Sequence, residues 1–73
     1  MYLNDIFDKK YYRVKNINND KIRRRLNDIG LISDSKIKLL YISPSKTIKG
    51  YLIKDSVIAI RDSDAIYIEV YDD

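Results

Sequence analysis

The sequence predicts a mainly β domain, a small five-stranded barrel with one short helix between strands 1 and 2. Short runs in which apolar and polar residues alternate at period two fill most of the chain. One stretch, Lys21 to Ile29, carries apolar residues at helical spacing instead. Asn, Asp, Ser, Gly and Pro break the runs at short intervals, as turns between short strands require.

The chain opens with Leu3, Ile6 and Phe7, whose spacing suits one helical turn packed on the domain. Tyr11 to Ile17 reads as the first strand, with Tyr12 and Val14 alternating with Arg13 and Lys15. Asn18-Asn19-Asp20 ends it and supplies caps for the helix. In the helix, Ile22, Leu26 and Ile29 fall at i, i+4 and i+7 and form one apolar stripe. Gly30 stands where a left-handed C′ residue belongs. Leu31 and Leu26 then take the C″ and C3 places that touch in a Schellman end. A helix this short is marginal alone and must dock on the sheet.

From Ser35 onward the chain reads as strands. Ile37, Leu39 and Tyr41 form the core face of the second, and Ser43-Pro44-Ser45 turns the chain. Thr47 to Ile53 is the third strand. Lys54-Asp55-Ser56 is a tight turn, and Val57 to Ile60 is a wholly apolar fourth strand. Arg61 to Asp64 is a polar connection with room for a single 3₁₀ turn. Ala65 to Val70 closes the chain, with Ile66, Ile68 and Val70 on one face and Tyr67 and Glu69 on the other. An open sheet of such short strands leaves both faces and both edges unprotected, whereas a barrel buries one face and removes the edges. The result is an SH3-like barrel, one domain over residues 1–73 with its core at about 11–70.

Composition narrows the function. The 73 residues suffice for one domain, with 45% hydrophobic and 34% charged residues, a mix suited to a folded protein. There is no cysteine and no histidine, so disulfides and thiolate or imidazole metal sites are excluded. A disulfide-free domain of this size favours the cytoplasm, and neither a signal peptide nor a membrane-spanning run is read in it. General acid–base catalysis lacks its usual histidine. The aspartates sit mainly in turns, and no glycine-rich phosphate loop exists. The expectation is a non-catalytic binding module with no cofactor and no metal site of its own. The net charge of +3 accompanies a general richness in Ile, Lys, Asn, Asp and Tyr and is weak evidence for nucleic acid.

Arg25-Leu26-Asn27-Asp28-Ile29-Gly30-Leu31 resembles the helix end of the FeoA family, small accessory proteins of bacterial ferrous iron transport. Ile37-Lys38-Leu39-Leu40 resembles that family's next strand. Tyr51-Leu52-Ile53, Val57 to Arg61, Asp64-Ala65 and Ile68-Glu69-Val70 resemble its closing pattern. The likeness runs from about Tyr11 to Val70. The family usually has glycine after the helix, where this chain has Asp34, and often between the third and fourth strands, where it has Asp55-Ser56. The resemblance implies a transition-metal transport context and a cytoplasmic protein. It also implies a partner, the cytoplasmic part of the membrane transporter FeoB, with no insertion into the membrane. A small basic SH3-like nucleic-acid-binding domain is the alternative.

Five residues are expected at the partner surface: Arg23, Arg25, Leu40, Ile42 and Tyr67. Asp20, Arg24 and Asp28 are spaced to pair along the helix, which leaves Arg23 and Arg25 free. Leu40 and Ile42 face away from Ile37 and Leu39. Either Leu3, Ile6 and Phe7 cover them, or they are exposed. If exposed, they form with an outward tyrosine an apolar patch that docks the transporter or a second copy of the chain.

Overall fold

The computed structural model describes residues 1–73. A 3₁₀ turn at Leu3–Asp5 leads into β1 (Tyr11–Ile17), α1 (Asp20–Asp28), β2 (Lys36–Ile42), β3 (Ile48–Ile53), β4 (Ser56–Arg61), a one-turn helix α2 (Asp62–Ala65) and β5 (Ile68–Asp72). The strands form one antiparallel sheet in the order β4-β3-β2-β1-β5. The sheet curls into the expected barrel around sixteen buried apolar residues. Its end strands β4 and β5 are not hydrogen-bonded to each other, and α2 carries the chain across the gap.

The helix is built as its sequence prescribes. Asn19 Oδ1 accepts from the Ile22 N–H at 3.1 Å and caps the N-terminus. Leu31 N–H donates to Leu26 C=O at 2.9 Å and Gly30 N–H to Asn27 C=O at 3.1 Å, the paired bonds of a Schellman end. Gly30 takes φ 99°, open to glycine at no steric penalty. Ile22 and Leu26 enter the core. Ile29 does not: it is the C-cap, where the backbone leaves helical geometry and swings the side chain into solvent.

Two β-bulges reset the alternation. In β1 the extra residue between Val14 and Asn16 brings Ile17 back to the core beside Tyr12 and Val14. In β2 Leu39 faces Tyr51 and Tyr41 faces Gly50, so Leu40 is the unpaired residue. The slip turns Tyr41 out to 49% exposure, against its expected place on the core face with Ile37 and Leu39.

Other expectations are corrected by local geometry. The core begins before Tyr11, because Leu3 and Ile6 are buried in it. Their neighbour Phe7 stays outside. Ile66 follows α2 as its C-cap and is exposed, and Tyr67 packs half-buried against the core. Arg61 to Asp64 forms most of a single α-helical turn with its N-cap rather than a 3₁₀ turn. Asp34 takes the left-handed conformation, φ 70°, and its carboxylate accepts from the Tyr71 hydroxyl at 3.0 Å. Between β3 and β4 the left-handed residue is Lys54, φ 55°, the first of a two-residue turn, and not Asp55 or Ser56.

Candidate functional site

β3 runs Ile48-Lys49-Gly50-Tyr51-Leu52-Ile53, and its period of two puts Lys49, Tyr51 and Ile53 on the same inward face. Lys49 is thus a lysine in the barrel wall, only 2% exposed. Its stem packs while its ammonium finds three weak partners at the barrel's end. Nζ donates to the Asn4 carbonyl at 3.4 Å, lies 3.5 Å from Asp62 Oδ1, and stands 4.3 Å from the centroid of the Phe7 ring. The contact with Asp62 is an ion pair without a hydrogen bond, and Oδ1 is otherwise buried and unpartnered.

The Tyr51 hydroxyl is also buried without a partner. Burial first, and the charge of Asp62 second, push its pKa well above that of a free tyrosine. Lys49, Asp62 and Tyr51 therefore form a polar cluster in an otherwise apolar barrel.

Lys49 and Asp62 floor a surface hollow of about 290 Å³, lined also by Asn4, Phe7, Ile42 and Lys46, and Tyr51 lies buried outside this lining. Phe7 is 67% and Ile42 39% exposed, so two large apolar side chains wall the hollow and face solvent. Lys46 sits on its rim in the β2–β3 turn, held at φ 63° and free of any ion pair. Apolar walls with a net positive floor and rim suit recognition of a partner side chain. No group of three or more His, Cys, Asp or Glu residues is placed to hold a metal ion.

Of the residues singled out from sequence, Ile42 lies in the hollow. Leu40 is half-buried at the bulge next to it. Arg23 and Arg25 lie elsewhere, and neither is free. Arg23 pairs with Asp20 one turn back and Arg25 with Asp64 of α2, each at 2.7 Å, while Arg24 makes no ion pair. The geometry reverses the expected pairing, because Asp20 at i−3 from Arg23 comes within reach and α2 brings Asp64 to Arg25. Tyr67 is held against the core. Phe7, expected only as a cover for Leu40 and Ile42, walls the hollow opposite an exposed Ile42, and Asn4, Lys46, Lys49 and Asp62 were missed. Lys49 was legible, since it alternates with Tyr51 and Ile53. The others meet only through the fold.

The family model of the FeoA domain matches residues 1–72. The chain belongs to the FeoA domain family. It is similar to the FeoA protein of Chlorobium tepidum, with 25% identity, a TM-score of 0.89, and coverage of 97% of this chain and 69% of that one. The FeoA of Stenotrophomonas maltophilia, solved with zinc and described as a procaryotic SH3 domain protein, matches at 21% identity and TM-score 0.75. There the coverage is 96% of this chain and 88% of that one. The same fold occurs inside ScaR with bound zinc, at 18% identity and TM-score 0.89, where all of this chain spans 37% of the other. No curated protein gave a match. The FeoA relatives share the SH3-like barrel, and no helix of this FeoA-family chain is long and apolar enough to cross a membrane.

Proposed function

We propose that this chain is a non-catalytic accessory protein of ferrous iron uptake that binds the cytoplasmic part of a FeoB-type transporter from the cytoplasmic side. Membership in the FeoA family supports the iron-transport context, as does the role of ferrous iron transport activating factor suggested for the Stenotrophomonas relative. The observation that carries the reading is the hollow, with exposed Phe7 and Ile42 over a lysine floor. A rigid barrel offering such a surface acts by recognition, altering the transporter's assembly or nucleotide-linked cycle, and needs no cofactor. Iron in this reading is the transporter's cargo. The partner surface centres on Ile42, with Leu40 behind it on the same strand.

The test is calorimetry of the chain against the isolated cytoplasmic domain of the transporter. Wild type binds. Ile42→Asp and Phe7→Ala weaken binding at least tenfold while the unfolding midpoint stays in place. A wild-type chain that does not bind the domain overturns the reading. Binding that both variants retain moves the partner surface away from the hollow.

A further inference from the structure

The two ends of the sheet are treated differently. The β5 edge is covered: Val70 N–H donates to Met1 C=O at 2.8 Å, and Tyr2 bridges to Glu69. The β4 edge has no such cover. β4 pairs only with β3, and none of its residues makes a backbone bond outside that ladder.

Turn geometry says which groups are left over. Ile53 and Ser56 close a two-residue turn, so they exchange hydrogen bonds, and so do Tyr51 with Ile58 and Lys49 with Ile60. The bond from Asp62 N–H to Thr47 C=O, 2.8 Å, continues the same alternation past the strand end. The N–H and C=O groups of Val57, Ala59 and Arg61 therefore point away from the sheet. Their side chains are exposed as well, Val57 to 58%.

Natural edge strands are blunted by proline, bulges, lysine or a covering segment. β4 has none of these. It pairs with β3 without a register shift and carries Val57-Ile58-Ala59-Ile60 as an uncharged run. Its only charges are at the ends: Asp55 precedes it, Arg61 closes it, and neither has an ion pair within the chain.

We propose that the β4 edge is a strand-addition site for a second copy of this chain, joining two barrels antiparallel through β4. The charge pattern selects this occupant. In antiparallel pairing centred on Ile58, Val57 meets Ala59 of the other copy and Asp55 meets Arg61, twice by symmetry. Both orphan charges are thereby satisfied and the outward amides gain partners. A seam one short strand wide is small for a permanent interface, so the dimer is weak and reversible. This site is separate from the hollow at Ile42 and does not depend on the transporter reading.

Analytical ultracentrifugation over a wide concentration range, with amide exchange read by NMR, tests it. Wild type shifts from monomer to dimer as concentration rises, and the amides of Val57, Ala59 and Arg61 gain protection in step. Ala59→Pro removes an outward N–H only, so it leaves the β3–β4 ladder intact and the protein monomeric. Should Ala59→Pro not fold, Val57→Lys serves, since an edge lysine blocks addition without touching the ladder. Asp55→Arg weakens the dimer at least fivefold, and adding Arg61→Asp restores it. A wild type that stays monomeric at millimolar concentration overturns the proposal. So does a dimer that survives the edge variants, or a charge swap that fails to rescue.

Discussion

The ring of Tyr41 lies over Gly50 across the β2–β3 pair, so closely that a Cβ on Gly50 would stand 1.9 Å from Tyr41 Cε2. The bulge at Leu40 turns the tyrosine outward, and the bare glycine leaves space for its ring. In a strand, alanine is ordinarily better than glycine by about 0.5–1 kcal/mol. Here Gly50→Ala must push the ring aside, and the expected result is a loss of about 1 kcal/mol. In a Tyr41→Ala background the same substitution gains stability. Urea denaturation of the four proteins measures the coupling, and additive effects would show that the ring does not rest there.

Lys49 is expected to matter for its stem more than for its charge. Lys49→Met keeps the packing, and the Asp62 carboxylate, whose Oδ1 is buried beside the ammonium but whose side chain is 38% exposed overall, is released to turn toward water. Stability should stay within about 1 kcal/mol of wild type. Lys49→Ala removes the buried stem and should lose about 2–3 kcal/mol. Equal losses from both variants would mean that the ion pair outweighs the packing of the stem. Denaturant midpoints compared at equal slope decide between them.

Leu26 joins the helix to the barrel twice, through its buried side chain and through its carbonyl in the Schellman end. Leu26→Ala should lose about 2–5 kcal/mol. In so small a domain that is a large part of total stability. A denaturation midpoint that hardly moves would mean that the helix is not docked by this residue.

Alkaline stability should depend on Tyr51. Its pKa is raised in the folded protein, by burial and then by Asp62, while in the unfolded chain it ionises at about 10. Above that pH the unfolded chain gives up the proton and the folded chain keeps it, so stability falls as pH rises. Tyr51→Phe should flatten that fall. At neutral pH it should be as stable as wild type or better by about 1 kcal/mol, because an unpartnered buried hydroxyl is gone. Denaturation at pH 7 and again above pH 10 checks both halves. Tyr12 and Tyr71, raised by their bonds to Asp8 and Asp34, titrate equally in both proteins.

Elements that rest on local chemistry can be read from the amino acids alone. Asn19 as cap, Leu26 and Leu31 around Gly30, and the alternation of Tyr12 with Val14 and of Ile37 with Leu39 all act within a few residues, so they are legible in one dimension. The same holds for the five strands and for the family likeness built on them. Whatever depends on register was settled in three dimensions. One unpaired residue at Leu40 turned Tyr41 outward, and a cap in place of another helical turn exposed Ile29, because a slip of one residue changes the face a side chain meets. The hollow was settled there too. Asn4, Phe7, Ile42, Lys49 and Asp62 come from distant parts of the chain, and only the curling of the sheet brings them together around one buried ammonium.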